Sequence, residues 1–309
     1  MLQKIVTRLL TGVLVLWLAA TAAFVAIHAL PGRIEDVLAG DLSYPGLREA
    51  IAAQWGLDRS LPWQYGQFLL RLGHADLGTS FVMQQPVGAV LGSQLLPTAE
   101  LAGSAGLLAI VLAILIATLT AGSASRQGAW GTRIASVLEL TFTSTPVFWL
   151  GMLLLIVFSF QLHIFPVSGA SSWRSLVLPA VTLALPTAGI LSQVMREALE
   201  AALEKPFVTT IRSRGVGELA LRFRHVLRHA LLPVVTLGGW LIGSLLGGAV
   251  ITEKMFGRPG IGSVTLNAVT AQDVPVVLAV VLLAAFVHVV ISTLLDVAYL
   301  FIDPRLRSQ

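Results

Sequence analysis

The chain has 309 residues, of which 56% are hydrophobic and only 12% charged, with a net charge of +4. A soluble domain of this length carries about a quarter charged residues, and a larger core does not explain the deficit, because core size saturates with length. The absence of cysteine excludes disulfides, thiolate zinc sites and iron–sulfur ligation by this chain.

Lipid is the solvent that tolerates such a surface, and several stretches reach the ~20 apolar residues a spanning helix needs. The pattern predicts an all-α integral membrane protein with about six transmembrane helices, near 9–30, 98–121, 135–160, 177–200, 229–251 and 276–300. The first run follows Lys4 and Arg8, and Ala20-Thr21-Ala22 resembles a signal-peptidase site. The run is about 22 residues, longer than the ~7–15 of a signal core, so it reads as a retained span. Residues 31–97 carry turn chemistry at Pro31-Gly32, Tyr44-Pro45-Gly46 and Leu61-Pro62. The patterned residues Leu47, Ile51, Trp55, Leu57, Trp63, Tyr65, Phe68 and Leu72 predict a small helical outer subdomain there. The organisation is then 1–30 for the N-terminus and first span, 31–97 for that subdomain, and 98–309 for a core with five further spans. Within the core, 201–228 is the most basic inner stretch, and its Phe207, Val208, Ile211, Val216 and Leu219 suggest short helices broken near Gly215-Val216-Gly217.

Charge placement predicts orientation. With the N-terminus inside, the inner segments hold Lys4, Arg8, Arg126, Arg133, Arg196, Lys205, Arg212, Arg214, Arg222, Arg224, Arg228, Arg305 and Arg307. The two short outer loops hold only Arg174, Lys254 and Arg258. That asymmetry places both termini in the cytoplasm.

No catalytic signature is present. There is no G-x-x-x-x-G-K-[ST] phosphate loop and no H-E-x-x-H. His225 and His229 share a helix face at i, i+4, but no third metal ligand accompanies them, and they read as polar residues at a membrane boundary. The Gly257-Arg258-Pro259-Gly260-Ile261-Gly262 run lacks a preceding strand and reads as an outer turn rather than a nucleotide loop. Gly239, Gly243 and Gly247, with Gly238 and Gly248 beside them, form a small-residue stripe on span five, which predicts close packing against another span or a second subunit. Glu139, His288 and Asp296 are ionisable groups inside spans, and Glu100 lies near a span end. For Glu139 and Asp296, a salt bridge to an arginine on the inner side is the expected role; His288 lacks the chain of acids that a proton relay needs.

Residues 206–215, Pro-Phe-Val-Thr-Thr-Ile-Arg-Ser-Arg-Gly, followed by His225-Val226-Leu227-Arg228-His229-Ala230-Leu231-Leu232-Pro233, resemble the ATPase-docking loop of ABC importer permeases, in the form of the dipeptide/oligopeptide branch. The family's glycine is met by Gly215, and Leu232-Pro233 closes the motif. Thr209-Thr210-Ile211 depart from the family's acidic residue and two alanines. His28-Ala29-Leu30-Pro31-Gly32, Asp76-Leu77-Gly78-Thr79-Ser80, Leu96-Pro97-Thr98-Ala99-Glu100-Leu101, Thr145-Pro146-Val147-Phe148-Trp149, Phe165-Pro166-Val167-Ser168-Gly169, Pro259-Gly260-Ile261-Gly262 and Asp303-Pro304-Arg305 are similar to further landmarks of the family, in order along nearly the whole chain.

The resemblance implies a permease subunit that imports dipeptides or oligopeptides after delivery by an extracytoplasmic binding protein. Haem, nickel or glutathione are alternative ligands of the same machinery; a stand-alone secondary transporter would need repeated halves and buried ion-coupling acids, which are not visible. It further implies a homologous second permease and ATP-binding subunits that hold ATP and Mg, with no cofactor in this chain. The docking set it implies is Phe207, Val208, Thr209, Ile211, Arg212, Arg214, Gly215 and Val216.

Overall fold

The computed structural model describes residues 2–29, 58–122 and 126–302. Among them the secondary structure is helical, apart from one isolated bridge between Thr79 and Pro86. The chain divides into two compact units, Met1–Leu95 with Val264–Val289, and Leu96–Ser263 with Val290–Gln309.

The first unit contains α1 (Leu2–Ala29) and α2 (Leu61–Gly73). Proline near the first turn of α2 costs it nothing, because that position has no intrahelical N–H bond to lose. Aromatic packing joins the two helices: Phe24 lies 5.3 Å from Tyr65 and 5.6 Å from Phe68, centroid to centroid. The Thr21 and Tyr65 hydroxyls share a 2.7 Å hydrogen bond, and His28 meets the Gln64 side chain at 3.2 Å. The turn after α2 is pinned by Asp273, a buried carboxylate that accepts from the Ser80 hydroxyl and from the N–H groups of Phe81 and Val82. Three donors on one carboxylate explain how a loop without regular structure is held in one conformation.

The second unit is built around α3 (Val87–Thr120, whose residues from Leu96 onward lie in it) and α6 (Arg174–Leu203). Between them in sequence come α4 (Arg126–Ser144) and α5 (Val147–Leu154), the latter running on as a π-helix over Leu155–Gln161. Along α3 and the residue just past its end, Leu101, Ala105, Ala109, Ala113, Ala117 and Ala121 recur every fourth residue, and all are fully buried. Leu107, Ile110, Val111, Leu115 and Leu119 of the same helix are exposed. Small residues inside and large apolar ones outside is the arrangement of a helix whose surroundings are lipid. Leu183, Ala184, Ala188 and Leu191 of α6 pack on the upper part of that stripe, with Leu241, Leu245 and Ala249.

The buried carboxylates of Glu139 and Glu253 inside the unit are paired. Glu139 of α4 is 1% exposed and meets Arg196 of α6 at 2.8 Å; Ser192 donates to its other oxygen at 2.9 Å, and Arg196 also reaches Ser136 at 3.1 Å. Arginine on the neighbouring helix is thus the partner expected for Glu139. The side chain of Asp296 lies outside the described residues, and His288 is exposed.

By length and composition, Val87–Thr120, Arg174–Leu203 and Val274–Leu295 can each cross a membrane. Arg133–Ser144 with Val147–Gln161 forms a fourth candidate, bent by 108°. The six expected segments therefore differ in kind. The second begins at Val87, ten residues or so before the position read from the sequence, because Pro97 is accommodated inside the helix rather than starting it. The third bends at Thr145-Pro146, where proline lacks the N–H that a continuous helix uses. The fifth is two helices, α8 (Leu227–Thr236) and α9 (Gly238–Met255), and the first has its described apolar part over Leu10–Ala26. Two further helices follow, α10 (Ile261–Thr270) and α11 (Val274–Ile302).

Glycine spacing on α9 has a different outcome from its pattern. Gly243 and Gly247 are exposed, with nothing within 4 Å of where a Cβ would stand. Gly248 is the close-packed position, where a Cβ would lie 2.7 Å from Leu183. The side-chain position of Gly239 lies outside the described residues. The turn into α10 is closer packed than Gly248. Glu253 of α9 is fully buried and accepts from the Thr98 hydroxyl at 2.6 Å and the Ser263 N–H at 3.0 Å. A Cβ on Gly262 would stand 2.4 Å from the Cα of Val250. Gly262→Ala is therefore expected to destabilise the folded chain by about 1–3 kcal/mol, read as a lower melting temperature in detergent, whereas Gly243→Ala leaves it unchanged. Equal melting temperatures for the two variants would contradict this packing.

Candidate functional site

The loop after α6 carries most of the docking residues expected from the sequence. Lys205, in extended conformation, precedes α7 (Pro206–Ser213), and Pro206 supplies the preset φ of a first helical residue. The helix ends at Arg214, whose N–H donates to Ile211 O at 3.1 Å, and Gly215 donates to Arg212 O at 2.9 Å. Gly215 has φ +76°, a conformation open to glycine and costly for a β-branched side chain. The chain then continues through Val216 and Gly217 into a single helical turn, Glu218–Ala220, and a π-helix over Leu221–Val226 that leads into α8.

A helix of eight residues does not hold itself together in water, and α7 relies on borrowed core. Val208 is 1% exposed and packs in a cluster with Ala117 and Ala121 of α3, Met195, Leu199 and Ala202 of α6, Leu221, Val226 and Ala230. Phe207, Ile211 and Val216 pack half-buried on the edge of that cluster. Phe207 also lies 5.2 Å from the ring of His229, so the histidine that shares a face with His225 is engaged with an aromatic neighbour. Among the described residues no group of His, Asp or Glu could hold a metal ion.

The structure therefore divides the expected docking residues into two sets. Val208 is spent on the chain's own core, with Phe207, Ile211 and Val216 partly so. Thr209, Arg212, Arg214 and Gly215 are exposed, together with Thr210 and Ser213, which lie outside the expected docking set. Alternation at helical spacing could have predicted this: 207, 208 and 211 lie on one face and 209, 210, 212 and 213 on the other.

Two side chains of the loop had no assigned role. Glu218 accepts a forked bond from Arg212, Nε at 2.7 Å and Nη2 at 3.1 Å. That hydrogen bond, helped by the charges of Arg212 and Arg222 and opposed by slight burial, holds the Glu218 carboxyl below its ordinary range; the pair is ionised at neutral pH. In the sequence Arg222 is one basic residue among many, yet it is 6% exposed and donates to backbone carbonyls of α3. No local signal in the sequence marks a buried arginine in a loop rich in solvated ones.

Comparison with known proteins decides the family. The family described as "Binding-protein-dependent transport system inner membrane component" matches residues 109–308, and the corresponding N-terminal family matches residues 1–102. The chain belongs to this family of ABC importer permeases. It is a transport component of the inner membrane, multi-pass, and not an enzyme. Over 309 residues, covering 100% of both chains, it is 34% identical to the "Glutathione transport system permease protein GsiC" of Salmonella choleraesuis. The protein of that name from Pectobacterium atrosepticum is also 34% identical over the same span, and that of Escherichia coli K12 is 32% identical. In fold, the chain is similar to a chain of the inward-facing MetNI methionine ABC transporter, with a TM-score of 0.56 at 16% identity, covering 69% of this permease and 96% of that chain.

If Val208 anchors α7 as its burial implies, Val208→Asp would place an unpaired carboxylate in the cluster at a cost of roughly several kcal/mol. Tryptic cleavage at Arg212 and Arg214 should then accelerate by at least about tenfold through local opening, while Thr210→Asp leaves the rate as in the wild type. Identical rates for both variants would mean that the buried face does not hold the helix.

Proposed function

We propose that this permease carries short peptides, glutathione-like tripeptides among them, across the cytoplasmic membrane after delivery by an extracytoplasmic binding protein, and that the exposed face of α7 docks on an ATPase subunit. The observation that supports the substrate class is full-length identity of about one third to permeases named for glutathione transport. The support for docking is geometric: a helix held from behind by apolar contacts offers Thr209, Thr210, Arg212, Ser213 and Arg214 outward. Arginines suit such a contact, since a guanidinium can bind carboxylates or backbone carbonyls in a forked geometry. In this reading ATP and Mg are bound by the partner subunits, a homologous second permease completes the path, and the exposed Gly243 and Gly247 belong to a face that another helix approaches. Residues 31–97 would then lie on the outer side, near the binding protein.

Reconstitution with the cognate ATPase and binding protein tests both parts. Uptake of labelled glutathione or of a labelled dipeptide should require ATP and the binding protein, and each should compete with the other. Uptake of neither peptide by a system that hydrolyses ATP would remove the substrate class. Gly215→Val forces a β-branched residue into φ +76°, a strain of about 1–3 kcal/mol. It should insert in the membrane normally but lose ATPase co-purification and transport; wild-type values for both would take α7 out of the mechanism.

Orientation follows from the basic residues. With an even number of spans and both ends inside, cysteines placed singly at Ser308 and Ser43 of this cysteine-free chain should react with impermeant reagents from opposite sides of the membrane. Reaction of both from one side would overturn the six-span arrangement.

A further inference from the structure

Docking at α7 is useful only if motion of that helix reaches a membrane-spanning segment, and the loop contains two polar contacts, joined by one short helical stretch, that could carry it. Arg212 on α7 grips Glu218 in a forked bond at 2.7 Å and 3.1 Å. Arg222 stands four residues beyond Glu218 on the same continuous helical segment, so the backbone between them joins the two side chains. Arg222 is 6% exposed, and its Nη1 donates to Thr118 O at 3.3 Å and to Leu119 O at 3.4 Å. Those carbonyls belong to the last turn of α3, where a helix has unpaired acceptors and the negative end of its dipole. The π-helical winding of 221–226 buries Leu221, Arg222 and Val226 together, so the guanidinium is directed at α3 by the same backbone that packs the apolar cluster. Among the described residues, the Nε of Arg222 is buried without a partner. A buried cation with a donor left over is expensive as mere packing, and an apolar side chain of similar volume would fill the position more cheaply.

We infer that Arg212, Glu218 and Arg222 form an electrostatic strut that ties the ATPase-facing helix α7 to the end of α3, so that displacement of α7 moves α3 with it. The inference rests on the docking reading and extends it: the receiving element is α3 rather than only the helices that follow the loop in sequence. Glu218 and Arg222 act as positioning residues. Neither belongs to the exposed docking face, and the strut predicts that their loss separates docking from transport.

The experiment uses the reconstituted complex. Glu218→Gln changes an exposed group and keeps the shape of the side chain. ATPase subunits should co-purify with it as with the wild type, while transport per ATP hydrolysed falls by about threefold, the scale of an exposed ion pair. Arg222→Leu should lower it by at least about tenfold, because hydrogen bonds from a buried charge are stronger, and Arg222→Lys should recover part of the loss. The second readout is geometric. Spin labels on cysteines at Ser213 and Leu115 should keep one distance between nucleotide-free and vanadate-trapped wild-type complexes, and the distribution should broaden or shift in Glu218→Gln. An Arg222→Leu chain that fails to reach the membrane leaves the Glu218→Gln distance and transport values to decide. Wild-type transport per ATP and an unchanged distance distribution in Glu218→Gln and in any Arg222→Leu that inserts would overturn the strut. If Gly215→Val were still defective in that case, docking at α7 would stand without it; if Gly215→Val were also wild type, the docking reading itself would have failed.

Discussion

Within a lipid surround, helices gain nothing from hiding apolar side chains from one another, because the acyl chains are as apolar as leucine. What remains to hold the second unit together is close approach of backbones and satisfaction of polar groups. The α3 stripe meets the first need: six residues at four-residue spacing, five of them alanine, are all fully buried, while leucines on the same helix face outward. Glu139 with Arg196 meets the second between α4 and α6, and Glu253 with Thr98 and Ser263 does so between α3, α9 and the start of α10. Glu139–Arg196 and Glu253–Thr98 join segments distant in sequence, and removing one partner would leave a buried charge or hydroxyl uncompensated, which is far more costly than losing a contact.

The same constraint explains the placement of α7. Outside the lipid, ordinary hydrophobic burial operates again, and the loop uses it. Val208, Leu221 and Val226 pack onto Ala117, Ala121, Met195 and Leu199, the last buried turns of α3 and α6. A short helix without intrinsic stability thereby acquires a fixed seat on two long helices. Apart from Arg212, which holds Glu218, its outward face makes no packing contact among the described residues, so its composition can answer to a partner. The departure of Thr209-Thr210-Ile211 from the family's acidic residue and alanines lies largely on that free face, where a change of contact partner costs the fold nothing.

Much of this was legible in the amino-acid sequence because lipid imposes long apolar runs and the family motifs stand in order. The helical fold, the break at Gly215 and the arginine partner of Glu139 follow from those two signals. Boundaries were less legible. Pro97 reads as a helix start, yet inside a spanning helix its missing hydrogen bond is tolerated, and α3 begins at Val87. The glycine stripe of α9 was legible as a stripe but not as to which glycine touches its own chain, since Gly248 and not Gly243 or Gly247 has the close neighbour. The Gly257–Gly262 run read as a turn, which it is, but its reason lies elsewhere: Gly262 lets the backbone pass Val250, and Gly260 leaves room for the Glu253 carboxylate. Contacts of this kind join residues 98, 253 and 263, and no local pattern announces them.

Apolar burial and directed hydrogen bonds do different work in the α7 loop. Packing of Val208, Phe207 and Ile211 fixes how far α7 stands from the cluster, but such contacts are non-directional and permit sliding or rotation at little cost. A forked guanidinium–carboxylate bond is planar and fixes angle as well as distance. Arg212 and Glu218 therefore set the rotation of α7 relative to the turn that follows it, and Arg222 sets that turn against the carbonyls of Thr118 and Leu119. A loop seated by apolar contacts alone could absorb a push by sliding on its seat. With both kinds of contact present, a push on the outward face has no soft coordinate in the loop to dissipate into, and the displacement passes to α3.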